Sequence, residues 1–358
     1  MLRSKAGGTE VLLTVTARDK RGEFVNNLTS ADLTLTEDGR PQQIKSFTRE
    51  SKAPLRIGLA IDTSRSLQAA MNEERKAAGQ FLEQMLPADP ATGTHADDVF
   101  LLHFDREVEL LEDSTNSRDK LQHELDNIGP SARESRSPLG PETNDEDRTN
   151  DRKRGGAGGT QLYDAIYLAA DELMKSKDGR KALIIFSDGE DRGSKETMND
   201  AIDAADRANI AIYTIYFKGQ GQRSENPFPS SGRRGGVGFP GGGGGYPGGG
   251  GGYPGGGGGY PGGGGGRRGG DKEAAIDGRK NMEKIATRTG GRYYEAKKKE
   301  NLGDIYKDIA DELRNQYVLT YTPDQKINED EYKKIVLKAK KDDYTVTTRE
   351  GYYAPDSK

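Results

Sequence analysis

Three short polar segments of this 358-residue sequence carry the types of oxygen atom that hard metal ions bind. Asp62, Ser64 and Ser66 follow one apolar run, and Asp188 follows another. Thr160 comes after two glycines, directly before an amphipathic stretch. Carboxylate and hydroxyl oxygens select Mg²⁺, Mn²⁺ or Ca²⁺ over zinc or copper. The five side chains therefore predict an all-oxygen site for a divalent cation, with Mg²⁺ as the expected ion.

Each of the five residues also has an ordinary structural explanation. Ser64, Ser66 and Thr160 are of the types that cap helices, and Asp188-Gly189 is a common turn pair. For any one of them taken alone, capping or turn formation is the more frequent use. The prediction of a metal site therefore depends on whether the fold brings the five together.

Alternating apolar and amphipathic segments predict how the fold would do so. Apolar runs typical of strands buried on both faces occur at residues 55–61, 99–104, 182–186 and 210–217, with a hairpin strand expected at 108–111. Amphipathic stretches typical of helices occur at residues 66–85, 118–128, 162–175, 196–208, 280–289 and 302–316. This alternation predicts an α/β fold with a doubly wound, mostly parallel sheet. Asp62 and Asp188 would both lie at the carboxyl ends of its strands, where ligands bind in such folds.

The two ends of the chain have a different pattern. Short alternating segments typical of half-buried strands occur at residues 11–17, 33–37, 317–321, 334–339 and 344–349. Residues 1–50 and 317–358 are each too short to form a core alone. We therefore expect them to be the two halves of one β-sandwich, with the α/β domain, residues 51–316, inserted between them.

Two low-complexity segments interrupt the α/β domain. Residues 129–159 are rich in Ser, Pro, Asn, Gly and charge, and residues 219–270 contain FPGGGGG followed by three copies of YPGGGGG. Such compositions cannot offset the entropy of folding, so we expect both segments to be disordered loops.

Composition excludes several other kinds of site and partner. The chain has no Cys, which rules out disulfides and thiolate-bound metals, and only three His, namely His95, His103 and His123. Its 54 Lys and Arg against 58 Asp and Glu give a net charge of -4, so nucleic acid is not an expected partner. No apolar run is long enough for a transmembrane segment, and no signal peptide is visible.

The spacing of the candidate ligands resembles a known family. D-x-S-x-S at Asp62, Ser64 and Ser66, the GGT loop that ends at Thr160 and the S-D-G around Asp188 are similar to the metal-ion-dependent adhesion site of von Willebrand factor A domains. The segments GGTQLYDAI, KALIIFSDGED, LTSADLTLTEDGRPQQIKSF, YVLTYTPD and REGYYAP resemble the bacterial members of that family. The resemblance covers nearly the whole chain except the two low-complexity segments.

This resemblance implies a binding module that is not an enzyme. In the family, the two Ser bind the cation directly, the two Asp bind it directly or through water, and the Thr joins when the site changes state. The remaining coordination position is filled by an acidic side chain of a partner protein. The resemblance also implies adhesion or assembly as the role and a secreted or periplasmic location.

Two alternatives and one departure from the family remain open. The first alternative is a metal-dependent hydrolase or phosphotransferase with Asp62 as its nucleophile. The sequence argues against it, because it has no phosphate-binding loop and no nucleophile elbow. The Arg-Arg-Gly-Gly sequences around the Gly-rich repeats would bind single-stranded nucleic acid, which the acidic balance disfavours. Arg65 replaces the usual Gly of the motif, and it either turns outward to the partner's acid, which we favour, or weakens metal binding.

Overall fold

The structure is a computed structural model. It describes residues 2–5, 8–49, 53–86, 97–129, 159–218, 277–297, 301–325, 328 and 331–353. The two predicted disordered loops lie outside these ranges, apart from Gly129 and Gly159. None of the helices within the ranges is both long enough and apolar enough to cross a membrane.

Fifteen strands and six α-helices form within the described ranges. The strands are β1 (Leu2–Lys5), β2 (Gly8–Asp19), β3 (Leu33–Glu37), β4 (Arg40–Pro41), β5 (Ile44–Arg49), β6 (Leu55–Asp62), β7 (Asp98–Phe104), β8 (Val108–Thr115), β9 (Arg180–Ser187), β10 (Ile210–Phe217), β11 (Tyr293–Ala296), β12 (Tyr317–Tyr321), β13 (Tyr332–Ala339), β14 (Tyr344–Thr347) and β15 (Gly351–Tyr353). The helices are α1 (Met71–Met85), α2 (Arg118–Asn127), α3 (Leu162–Leu168), α4 (Met198–Ala208), α5 (Gly278–Thr289) and α6 (Leu302–Arg314). A 3-10 helix, Arg65–Ala70, precedes α1, another, Ser30–Asp32, precedes β3, and a π-helical segment, Ala169–Met174, continues α3.

A six-stranded sheet forms the centre of the α/β domain. Its strand order is β11-β10-β9-β6-β7-β8, and every pairing is parallel except that of β7 with β8. The chain adds β7 and β8 on one side of β6 and then adds β9, β10 and β11 on the other side. The strand order therefore reverses between β6 and β9. This confirms the predicted doubly wound sheet, including the antiparallel edge strand.

Helices cover both faces of this sheet, which is why its four central strands, β6, β7, β9 and β10, are mostly apolar. Adjacent residues of β9 face opposite ways, with Ile184 in one core cluster and Ile185 in the other. The first cluster contains side chains of α1, α2 and α6, such as Phe81, Leu125 and Ile309. The second contains side chains of α3, α4 and α5, such as Ile166, Ile202 and Ile285.

Strands from the two ends of the chain pair with each other in two further sheets. In one sheet β12 lies between β2 and β5, and in the other β13 lies between β3 and β15. Both sheets contribute to a third core cluster that includes Leu13, Leu35, Leu319 and Leu337. The predicted β-sandwich of N- and C-terminal segments is therefore present, while the boundaries at 50/51 and 316/317 stay predictions.

The structure differs from the predicted elements in several places. Residues 66–70 form a 3-10 helix rather than the first turn of α1, and the second half of 162–175 is π-helical. The sequence also did not predict β5, because its IKSFTR segment lies at a sheet edge where only Ile44 and Phe47 are partly covered. An edge strand with so little burial lacks the clean alternation that predicts strands.

A buried charge network anchors α6 to the β-sandwich. Glu312 is 0% exposed, and its Oε2 accepts hydrogen bonds from Arg18 of β2 at 2.8 Å and from Arg292 at 2.9 Å. Its Oε1 accepts a hydrogen bond from the Tyr213 hydroxyl of β10 at 3.2 Å. Arg18 also pairs with Asp308 through two hydrogen bonds of 2.9 and 2.8 Å. One carboxylate thus joins the helix, the central sheet and the sandwich.

Replacing this carboxylate should destabilise the whole fold. We expect Glu312→Gln to lower the free energy of unfolding by about 3–5 kcal/mol, because two guanidinium groups lose their buried partner. Asp311→Asn is a matched control on the same helix. Asp311 forms an ion pair with Lys307, and their side chains are 37% and 67% exposed, so losing this pair should change stability by less than about 1 kcal/mol. Urea unfolding of both variants measures the difference, and equal effects would contradict the anchoring role.

Glu74 of α1 should make stability depend on pH. Complete burial raises the pKa of Glu74 from 4.5 to about 8, although the Tyr306 hydroxyl of α6 donates to it. The unfolded chain releases this proton at lower pH than the folded protein, so the free energy of unfolding should fall as pH rises between these two values, by about 1.4 kcal/mol per unit.

Glu74→Gln is the isosteric variant that isolates this effect. Its stability relative to the natural chain should rise from about pH 5 to about pH 8, because Gln resembles the protonated acid and carries no charge at any pH. Urea unfolding across this range measures the difference. A difference that stays constant would show that Glu74 does not titrate as stated.

Candidate metal centre

Asp62, Ser64 and Ser66 are positioned by the end of β6 and the short helix that follows it. Asp62 is the last residue of β6 and is 0% exposed. The backbone N–H of Ser64 donates to Asp62 Oδ1 at 2.9 Å, which closes a tight turn after the strand. Ser66 then lies in the first turn of the 3-10 helix. This turn brings two hydroxyls next to a buried carboxylate.

Asp188 reaches the same point from the end of β9. The Ser66 hydroxyl donates to Asp188 Oδ2 at 2.6 Å, and the Ser64 and Ser66 hydroxyl oxygens lie 3.0 Å apart. The Ser187 hydroxyl, on the last residue of β9, donates to Asp62 Oδ2 at 2.7 Å. Four of the five predicted ligands therefore form one hydrogen-bonded group at the point where the strand order reverses.

Thr160 lies at the same edge of the sheet but makes no hydrogen bond to the other four within the described residues. Its carbonyl oxygen accepts from the N–H of Arg192, beyond the end of β9, at 3.0 Å. The N–H of the next residue, Gln161, donates to the carbonyl of Asp105, just beyond the end of β7, at 2.8 Å. Thr160 is thus held between the loops that follow the two strands adjacent to β6, and it is 8% exposed.

Ser187 is a site residue that the sequence pattern did not predict, and Gly189 was predicted only as part of a turn, although both belong to the S-D-G motif. Ser187 fixes Asp62 as described above, and its hydroxyl also accepts from the Gly189 N–H at 3.0 Å. Gly189 has a φ of +71°, and a Cβ there would lie 2.2 Å from the Gly278 carbonyl oxygen. Only glycine fits this turn, so the motif also sets the path of the chain beyond Asp188.

Two carboxylates at this point repel each other. The pKa of Asp62 is raised to about 7, mainly by burial and secondly by the nearby charge of Asp188. Its hydrogen bonds from Ser64 and Ser187 lower the pKa and offset part of this rise. Among the described residues, no Lys or Arg forms an ion pair with Asp62 or Asp188. A divalent cation would remove the repulsion, so this set of donors fits one.

The cation would have to be bound by hydroxyls as well as by carboxylates. Within the described ranges, no three residues of the types His, Cys, Asp and Glu come close enough together to hold a metal. Asp62 and Asp188 would supply the negative charge, while Ser64, Ser66 and Thr160 would supply neutral oxygens. Because all five donors are oxygens, the chemistry of the set favours Mg²⁺, Mn²⁺ or Ca²⁺.

Removing the charge of Asp188 should stabilise the metal-free protein. We expect Asp188→Asn in the presence of EDTA at pH 8 to raise the free energy of unfolding by roughly 1–4 kcal/mol, the range of a close like-charge interaction. The same variant should lose any stabilisation by divalent ions. Thermal melting with EDTA and with Mg²⁺ measures both effects, and a loss of stability in EDTA would contradict the repulsion between Asp62 and Asp188.

The chain resembles known proteins in structure but not in sequence. No family model matches the chain, and no curated protein matches it. Among solved structures, proximal thread matrix protein 1 of mussel byssus is 11% identical with a TM-score of 0.45, over 78% of this chain and 51% of that one. This chain therefore spans about half the length of the mussel protein. Another structure of that protein, with zinc in its metal-ion-dependent adhesion site, is 12% identical with a TM-score of 0.43, over 74% of this chain and 49% of that one.

A bacterial pilus protein also matches. The von Willebrand factor domain of the type V pili tip protein Mfa5 from Porphyromonas gingivalis is 12% identical with a TM-score of 0.43, over 74% of this chain and 96% of that one. The apolar pattern of the sequence predicted a doubly wound, mostly parallel sheet, an antiparallel edge strand after β7 and Asp62 at the carboxyl end of β6, and the structure contains all three. A von Willebrand factor domain is thus among the solved structures to which the chain is similar, and that domain belongs to the family that the sequence resembles.

Proposed function

We propose that this protein is a metal-dependent binding module that captures an acidic side chain of a partner protein. The observation that supports the proposal is the hydrogen bond from Ser66 to Asp188, which joins the polar ends of β6 and β9 beside the buried Asp62. Mg²⁺ is the proposed ion, with Mn²⁺ and Ca²⁺ as alternatives, and the proposed ligands are Asp62, Ser64, Ser66, Thr160 and Asp188.

The types of ligand explain why a partner's acid would bind. When bound, the cation supplies an electron-poor centre, because two carboxylates and three neutral hydroxyls neutralise it only in part. Asp62 is fully buried, whereas Ser64, Ser66 and Asp188 are partly exposed, so the site opens to solvent on their side. The exposed Arg65 lies between the two serines in sequence, where a guanidinium adds attraction for a carboxylate.

The burial of Asp62 supports binding over the hydrolase alternative. A nucleophilic carboxylate must reach a substrate atom, but Asp62 is 0% exposed. Both of its oxygens already accept hydrogen bonds, from the Ser64 N–H and the Ser187 hydroxyl. These contacts support a role for Asp62 in holding other groups rather than in attacking a substrate. The proposal also includes a role in adhesion or assembly and an extracellular or periplasmic location, as the sequence resemblance implies.

Thermal melting with added divalent ions tests the metal site. Mg²⁺ at 100 times its Kd should stabilise the natural chain by about 2.7 kcal/mol, because the ion binds only the folded state. Asp62→Ala should abolish this stabilisation, while the control Asp311→Asn, on the exposed face of α6, should retain it. The proposal fails if Mg²⁺, Mn²⁺ and Ca²⁺ all leave the melting temperature of the natural chain unchanged.

Binding of defined peptides tests the capture of an acid. Peptides with one Asp or Glu should bind the Mg²⁺-loaded protein, and their Asn or Gln counterparts should not, because only a carboxylate completes the coordination. EDTA and Asp62→Ala should each abolish binding in a fluorescence polarisation assay. Equal affinity for a peptide and its amide counterpart would argue against the partner chemistry that we propose.

A further inference from the structure

We infer that His103 and Glu109 are positioning residues for the metal-binding turn and act on it through Thr63. This inference rests on the proposed function, since it concerns how the same site is held in shape. Thr63 is the residue between the ligands Asp62 and Ser64, and it is 1% exposed. The neighbouring strand, β7, contacts both the backbone N–H and the hydroxyl of Thr63.

The end of β7 contacts Thr63 in two ways. The Thr63 N–H donates to the carbonyl oxygen of Phe104 at 3.0 Å. The Thr63 hydroxyl lies 3.2 Å from Nδ1 of His103, which is 4% exposed. The parallel register of β6 and β7 sets these contacts, because it places Ile61 opposite His103 and Asp62 opposite Phe104. The backbone and the side chain of Thr63 are therefore both fixed from the neighbouring strand.

Glu109 determines which way the hydrogen bonds run. It lies opposite His103 in the antiparallel pairing of β7 and β8, and its Oε2 is 2.8 Å from His103 Nε2. A carboxylate oxygen accepts hydrogen bonds, so Nε2 of His103 carries a hydrogen and donates to Glu109. In the tautomer with its hydrogen on Nε2, Nδ1 is an acceptor, and the Thr63 hydroxyl donates to it. The hydrogen bonds run in one direction, from Thr63 to His103 to Glu109.

This arrangement constrains both neighbouring ligands. Thr63 is covalently linked to Asp62 and Ser64, and the turn that it spans is closed by the Ser64 N–H to Asp62 hydrogen bond. A Thr63 side chain free to rotate would let this turn relax, and metal sites require their ligands to be held within about 0.5 Å. Outer partners of this kind typically change metal affinity by about 10–100-fold when they are removed.

The alternative is a purely structural role, in which His103 is a buried histidine with satisfied hydrogen bonds. The two explanations differ in what they predict for metal affinity. A purely structural histidine affects only the stability of the metal-free fold, whereas a positioning residue affects metal binding beyond any loss of stability. The experiment must therefore measure both quantities for each variant.

Isosteric removal of the Thr63 hydroxyl is the first test. Thr63→Val retains the shape of the side chain but cannot donate to His103, and we expect its Kd for Mn²⁺ to rise by about 10–100-fold in isothermal titration calorimetry. Thr214→Val is the matched control, since Thr214 of β10 is 0% exposed and its hydroxyl donates to the carbonyl oxygen of Met282 in α5. The control should lose stability in EDTA but retain the Kd of the natural chain.

Variants of His103 form the second test. His103→Leu should weaken Mn²⁺ binding as much as Thr63→Val does, because neither variant has the hydrogen bond. His103→Asn should recover most of the affinity, since the amide oxygen can take the place of Nδ1 as the acceptor for Thr63. A ranking of affinities that simply follows the stability of each variant in EDTA would overturn the positioning role.

The tautomer of His103 is an independent readout. The chain has only three histidines, so ¹⁵N-histidine labelling gives a simple spectrum in which loss of one ring on His103→Asn assigns its signals. We expect His103 in the Nε2–H form, and we expect Glu109→Ala to reduce that preference and weaken Mn²⁺ binding. An Nδ1–H tautomer in the natural chain would overturn the inference.

The two proposals fail in distinguishable ways. If the natural chain binds no divalent ion, the proposed function fails, and the positioning role fails with it. If the natural chain binds Mn²⁺ and Thr63→Val binds it with the same Kd, only the positioning role of His103 and Glu109 fails.

Discussion

The parallel pairing of β6 with β9 is the constraint on which the candidate site depends. Their register places Ile61 opposite Phe186, so Asp62 and the Ser187-Asp188 pair leave the sheet at the same level. The register in turn depends on close packing, since a Cβ on Gly58 would lie 2.3 Å from the Phe100 ring and 2.7 Å from Leu183. Apolar contacts in the middle of the sheet therefore set the distance between polar groups at its edge, which is how an ordinary core positions a functional site.

How much of this could be predicted from the sequence depends on the range of the contacts involved. The strand at 210–217 was predicted with its observed bounds because Ile210–Phe217 is an apolar run interrupted only by Thr214. The convergence of Asp62 with Asp188 followed from the rule on strand ends. Thr160 was predicted at the correct edge, but no pattern indicated how far it lies from the serines. The contact between Thr63 and His103 joins residues 40 apart on neighbouring strands, and neither residue has a local signal for it.

The sandwich and the central sheet are joined through α6, and the joining groups are charged. Arg18 of β2 contacts both Asp308 and Glu312, and Arg292 contacts Glu312 from the loop before β11. A displacement of α6 along its axis would have to separate these buried ions, which is costly when their partners do not follow. These ion pairs therefore fix the position of α6 relative to β2.

The buried carboxylates of the described residues show what is distinctive about the candidate site. Glu312, Asp206 and Asp97 each lie within ion-pair distance of at least one arginine. Glu74 and Glu37 have no such partner there, but tyrosine hydroxyls donate to them: that of Tyr306 to Glu74, and those of Tyr321 and Tyr352 to Glu37. Asp62 also has only uncharged donors, and in addition it faces the charge of Asp188. Asp206 also faces a second carboxylate, Asp203, but two arginines pair with it. Burial beside a second carboxylate with no arginine partner is therefore the feature that a divalent cation explains.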